Sequence, residues 1–133
     1  MMEESAYSDL GKQLAEIGLS FAQVRDRMMH MSDEKKYGIL KGFALATLIS
    51  RPDDSYRAAF ECKEETIARS AAKKLLETNL RVAGRVAVET QDEWLLELVI
   101  QEADRRGEAA MVDHTKRELR ELKLRRIKEE FGI

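Results

Sequence analysis

The chain has 133 residues, 36% of them charged and 44% hydrophobic, with a net charge of −2. That length fits one domain, or a small domain with an appendage, and it suffices for a buried core. The near-neutral balance excludes a monomer that holds nucleic acid by bulk positive charge, so any such binding must come from a local patch or from a face repeated around an oligomer. One proline and seven glycines leave long runs of helix formers. Apolar clusters of period two are missing, so the pattern predicts an all-α fold. No apolar run is long enough for a membrane span. The lone Cys62 cannot form an internal disulfide and reads as a buried free thiol, which fits an intracellular compartment.

The N-terminal MMEESAYSDL is acidic and lacks the apolar core of a signal peptide. Ser8 is predicted to cap a first helix with Leu10, Leu14 and Ile17, stopped by Gly18. Ser20 and Gln23 form a capping box for a second helix, on which Phe21, Val24, Met28 and Met31 share a stripe. The Met-rich stripe is expected to be adaptable core or interface. Residues 1–31 are read as a helical hairpin.

Ser32 is expected to cap a third helix over about 33–49, with Tyr37, Leu40, Phe43, Ala44 and Leu48 on one face. Gly38, Gly42 and Ala46 make a separate small-residue strip. Glycine weakens a helix, so the strip predicts close approach of another helix. Pro52 breaks the chain there, and an aspartate is expected to cap the next helix.

Asp54 to Asn79 reads as a short helix at about 55–62, a break near Lys63 and Glu64, and a second helix at about 65–78. At 100° per residue, Ile67, Ala68, Ala71, Ala72, Leu75 and Leu76 fall on one side of the second helix. Thr66, Arg69, Ser70, Lys73 and Lys74 fall on the other. A core face of small residues opposite a face of cations and hydroxyls is the layout of a DNA-reading helix. The candidate DNA contacts are Arg69, Lys73 and Lys74, with Thr66 and Ser70 as shorter contacts and Arg57 and Lys63 flanking.

A short connector, LRVAGRVAV, comes after Asn79. Thr90 and Glu93 then form a second capping box for a helix over about 91–106. Its apolar arc takes in Trp94, Leu95, Leu96, Leu98, Val99 and Ile100, wider than one neighbour covers. These six are the candidate oligomer interface. The last helix, about 113–131, has an apolar side that begins with Met111, Val112, Leu119 and Leu122 and rotates to Leu124, Ile127 and Phe131. A face that changes in mid-helix predicts two successive partners, or a tail that leaves the body to dock elsewhere. Its cations, Lys116 to Lys128, are diluted by acids but form a competing site for nucleic acid.

One resemblance runs from about Asp33 to Val86. Ala58-Ala59 lie in the short first helix. Ala68-Arg69-Ser70 and Lys73-Lys74-Leu75-Leu76 lie in the second, followed by Asn79 and Arg81-Val82. Ahead of them stand Glu34-Lys35-Lys36 and Phe43 to Leu45. Together these resemble the N-terminal helix-turn-helix of bacteriophage terminase small subunits. In the turn, where that family has Gly-Tyr-Ser, this chain has Lys63-Glu64-Glu65. The resemblance implies a helix-turn-helix DNA-binding region at 32–88, followed by an oligomerisation helix and helical tail at 89–133. It also implies a non-catalytic, ring-forming homo-oligomer that takes part in viral genome packaging in the cytoplasm of an infected bacterial host. Such a protein recognises double-stranded DNA and regulates the large terminase subunit.

No phosphate-cradling loop is present, the two histidines lie far apart in sequence, and no Cys/His set has metal spacing. The expectation is therefore a non-enzyme without cofactor or metal. A dimeric helix-turn-helix regulator and a helical protein-binding module without nucleic acid are the alternative readings.

Overall fold

The computed structural model describes residues 2–133, with side chains from Ala6 onward. The fold is all-α, and no strand occurs among the described residues. The eight helices are α1 (Met2–Glu16), α2 (Phe21–Arg27), α3 (Asp33–Thr47), α4 (Pro52–Glu61), α5 (Glu65–Thr78), α6 (Leu80–Thr90), α7 (Glu93–Arg105) and α8 (Ala109–Phe131). No helix is long and apolar enough to cross a membrane. The chain forms two compact units whose boundary falls within α5, one ending at Lys74 and the other beginning at Leu75. α1 and α2 belong to the same unit as α3 and α4.

In the first unit α1 and α3 touch backbone to backbone. A Cβ added at Gly42 would lie 2.7 Å from the Ser8 carbonyl carbon and closer still to its oxygen. One added at Gly11 would run into the Ile39 carbonyl and lie 2.7 Å from the Phe43 nitrogen. Of the small-residue strip on α3, Gly42 is the position that α1 crosses, with Gly11 supplying the matching gap, whereas Ala46 is exposed. α1 starts upstream of Ser8, so Ser8 lies in the contact and does not cap the helix. Gly18, at φ 90°, does end the turn that follows α1.

Phe21, Val24, Met28, Ile39, Leu40, Phe43, Ala44, Ala58 and Ala59 form one buried cluster with Cys62 and Ile67. Burying a side chain the size of Phe43 or Leu40 stabilises by about 1.5–3 kcal/mol. The Ser20–Gln23 capping box is closed from both sides. Ser32 occupies the N-cap of α3 without a side-chain bond. Arg51, not an aspartate, stands at the N-cap of α4, and Pro52 opens the helix. Ser55 donates its hydroxyl proton to the Ala44 carbonyl at 2.7 Å, pinning α4 to α3 in the core.

In the second unit α7 packs against both α6 and α8. Leu80, Ala83, Val86 and Ala87 meet Leu95, Leu96, Val99 and Ala103, with Val112 and Leu122 from α8 buried as well. The connector after Asn79 is a full helix, capped by the Asn79 side chain on the Val82 amide. The predicted Thr90–Glu93 box does not form. Thr90 still belongs to α6 and donates to the Val86 carbonyl at 2.8 Å, while Asp92 caps α7 through the Trp94 amide at 3.0 Å. Arg106 donates to the Leu76 carbonyl at 2.7 Å, closing the end of α5 against the end of α7.

Two glycines of the same helical type should respond oppositely to alanine. Gly42→Ala gains about 1 kcal/mol of helix propensity but drives a methyl into backbone, a strain of about 1–3 kcal/mol or more, so its melting temperature should fall. Gly84→Ala adds a methyl whose nearest neighbour is Val99 Cγ1 at 3.8 Å. It should raise the melting temperature, by about 0.5–1 kcal/mol of stability.

Candidate nucleic-acid interface

The segment singled out for DNA binding consists of α4, the link Cys62–Lys63–Glu64, and α5. The link is closed by the backbone: the Cys62 amide donates to the Ala58 carbonyl at 3.0 Å and the Glu64 amide to the Ala59 carbonyl at 2.9 Å. Lys63 takes the left-handed conformation, φ 61°, which glycine adopts without steric cost and a lysine pays for. Ile67 and Ala68 pack into the first unit's core, so the start of α5 is fixed relative to α4. Ala71, Ala72 and Leu75 are also buried.

The opposite side of α5 is open. Thr66, Arg69, Ser70 and Lys73 are all exposed, whereas Lys74 is half-buried. The Ser70 hydroxyl donates to the Thr66 carbonyl at 3.1 Å. Arg69 pairs with Glu65 at 3.0 Å with both side chains in solvent, a contact worth about 0–1 kcal/mol and easily exchanged. Glu64 is drawn toward Lys41 of α3 at 3.7 Å. Glu64 in the link and Glu65 at the start of α5 thus each have a cation within ion-pair distance. Lys63 projects from the link and is exposed. Arg57 lies apart from this group. It is held at 3.1 Å by both Asp53 and Asp54 on α4, with its side chain only 19% exposed. The structure thus brings Thr66, Arg69, Ser70 and Lys73 onto one open face and ties Arg57 elsewhere.

The candidate oligomer residues are distributed differently from the reading of their apolar arc. Leu95 and Val99 are 0% exposed, and Leu96, expected to need a second subunit, is 1% exposed within the single chain. Leu98 and Ile100 are half-buried, and Trp94 is 41% exposed. The arc is wide because α7 is covered on two sides by helices of its own unit. Width alone therefore does not require a partner subunit, and only Trp94 of the six remains largely open.

α8 docks on α7 through two charge contacts that sequence spacing did not reveal. Arg126 reaches Glu93 at 2.6 Å and the Gln91 carbonyl at 2.7 Å, and Lys123 lies 3.9 Å from Glu97. These contacts cross more than 25 residues of sequence, beyond the reach of any local pattern. The rotated apolar stripe is uncovered: Leu124, Ile127 and Phe131 are 51%, 60% and 80% exposed. Lys116, Arg117, Arg120 and Lys128 flank that stripe at helical spacing and are exposed.

Cys62 and Glu102 titrate unusually, and Arg105 is raised by its hydrogen bond to Glu102. Burial pushes the Cys62 thiol up to about 11, assisted by the charges of Glu64 and Glu61, although a hydrogen bond to the Glu64 backbone acts the other way. Hydrogen bonds from Arg105, then Arg106, hold Glu102 down at about 2. The stabilisation from that carboxylate is present above pH 4.5 and is lost as pH falls toward about 2. Among the described residues no group of His, Cys, Asp and Glu gathers to hold a metal ion. Comparison with protein-family models, curated proteins and solved structures finds no match for the chain.

These placements have two measurable outcomes. A thiol raised from 9.0 to about 11 presents about 100-fold less thiolate at neutral pH. Maleimide labelling of Cys62 should therefore be slow in the folded chain and fast in denaturant. Leu96→Lys places a charge in the core of the second unit and should cost about 3–5 kcal/mol, seen as loss of the cooperative melt. Trp94→Lys should leave helicity by circular dichroism unchanged.

Proposed function

We propose that the chain is a non-catalytic DNA-binding protein that reads duplex DNA with α5, of the kind that terminase small subunits exemplify. The single observation that supports this is the row Thr66, Arg69, Ser70 and Lys73, exposed on α5 behind a backbone-closed link. A helix entering the major groove needs several donors pointing one way from a rigid mount. Here the buried alanine side provides the mount, and the exposed side offers two cations and two hydroxyls. In the packaging role that the resemblance implies, such helices act together around a ring, and the partner is the large terminase subunit. Repetition around a ring makes the net charge of −2 compatible with DNA, because each copy adds its own Arg69 and Lys73 to a shared surface. A second reading, a helical protein-binding module without nucleic acid, is favoured by the uncovered stripe Leu124, Ile127 and Phe131 on α8.

Fluorescence anisotropy with duplex DNA separates the two. Binding should weaken steeply between about 50 mM and about 200 mM salt. Arg69→Ala with Lys73→Ala should weaken it at least about tenfold without altering the melt. Arg117→Ala with Arg120→Ala on α8 should leave it unchanged. Binding that survives the α5 changes but not the α8 changes would transfer the nucleic-acid role to the tail. No binding by the wild type at low salt leaves the protein-binding reading. Native mass spectrometry distinguishes a ring from the dimer expected of a helix-turn-helix regulator.

A further inference from the structure

Within the second unit, α6 and α8 leave a cleft of about 400 Å³ between them. Its floor is apolar, made by Leu80, Gly84, Val88 and Met111. Gly84 adds no side chain to that floor, and a Cβ built there would have only Val99 Cγ1 in contact, at 3.8 Å. Arg81 and Arg85, one turn apart on α6, stand along one wall and are exposed. Neither is held in an ion pair among the described residues. Two acids also border the cleft: Glu118, 4.0 Å from the His114 imidazole across one turn of α8, and Glu89, which has an interaction of its own.

An apolar floor with a pair of uncompensated guanidiniums on one wall selects for two properties in one ligand. A bare inorganic anion gains nothing from Leu80, Val88 and Met111. A neutral apolar molecule leaves Arg81 and Arg85 without a counter-charge. A polyanion such as DNA would run its neighbouring phosphates past Glu89 and Glu118. A compact body with one charged end fits all the walls. The volume lies in the range of small-molecule sites, about 300–1,000 Å³. Two arginines at helical spacing can grip one planar or tetrahedral oxyanion between them.

We propose that this cleft binds a small amphipathic organic anion, with an aromatic or aliphatic body on the floor and one carboxylate, phosphate or sulfonate head against Arg81 and Arg85. The site lies on α6 and α8 and shares no residue with the exposed row on α5. It stands or falls independently of DNA binding.

The probe is 8-anilinonaphthalene-1-sulfonate, an aromatic body with a single sulfonate. It is titrated by calorimetry and followed by the Met111 methyl signal in ¹³C-labelled protein. The expected result is saturable one-to-one binding that shifts Met111. Arg81→Gln with Arg85→Gln should weaken it at least about tenfold. Gly84→Leu, which fills the floor, should remove it. The uncharged analogue N-phenyl-1-naphthylamine should bind at least about tenfold more weakly than the sulfonate, and sodium sulfate at the same concentration should leave Met111 unshifted. Arg81 and Arg85 are exposed, so the double change should retain the helical spectrum and be readable even if Gly84→Leu disturbs folding. Binding that leaves Met111 unmoved overturns the proposal, because the probe then sits on the exposed stripe of α8 or elsewhere. So does wild-type affinity in the double arginine variant, or an equal response to sulfate alone.

Discussion

Arg51 is the side chain that joins the parts of the first unit. Its guanidinium donates to the Leu19 carbonyl at 2.7 Å and the Ala15 carbonyl at 3.0 Å, taking up backbone acceptors at the end of α1. The same group pairs with Asp54 at 3.5 Å in the first turn of α4. It also lies 5.6 Å from the centre of the Phe43 ring on α3. A lysine has the charge but not the fork, and it could not satisfy two carbonyls, a carboxylate and a ring face at once. Hydrogen bonds to a charged donor contribute about 1.5–3 kcal/mol each in sheltered positions. Losing this group would remove the tie between the α1–α2 link and the start of α4, leaving α4 held to α3 by the Ser55 bond and the core.

The orientation of α4 passes directly to the proposed reading helix. Between them stand only Cys62, Lys63 and Glu64, and backbone hydrogen bonds close that link at both ends. With Ile67 and Ala68 seated in the core, α5 has little freedom to turn about its own axis. Its exposed row is thus aimed by interactions that begin at Ala15, far earlier in the chain. Alanines on the buried side matter here because they take up little depth and add no rotamers to lose.

Much of the helix pattern was legible in the sequence. Its signals are local: the Ser20–Gln23 box, the Pro52 break, Gly18, and the alternation of faces along α5. Where the reading departed from the structure, a competing local cap or ion pair decided in two places and a contact distant in sequence in another. Thr90 and Glu93 have the spacing of a box, but α6 continues through Thr90, and Asp92, immediately before α7, takes the capping role. The arc on α7 was wide enough to suggest a second subunit. The sequence did not show that α8 folds back across it, fastened by Arg126 on Glu93. In the candidate interface, periodicity placed Thr66, Arg69, Ser70 and Lys73 on one face. It could not separate Arg57, which is held by Asp53 and Asp54 three and four residues before it. The Asp-x-x-x-Arg spacing was the available signal for that pairing. The cleft between α6 and α8 had no sequence signal, since its two walls are some 30 positions apart.

The contact between α1 and α3 ties the histories of two positions together. Gly11 makes room for α3 backbone, and Gly42 makes room for α1 backbone, at the same crossing. A side chain at either position pushes the helices apart, and once they are apart the other glycine no longer has a backbone to accommodate. The second replacement should then cost less than it would alone, a non-additivity of about 0.5–3 kcal/mol for residues sharing one contact. Each single change is a barrier, and the pair is a shallower one. A lineage that crossed it would settle into a wider crossing, filled by larger side chains on both helices, from which a return to glycine at one position alone would leave a void.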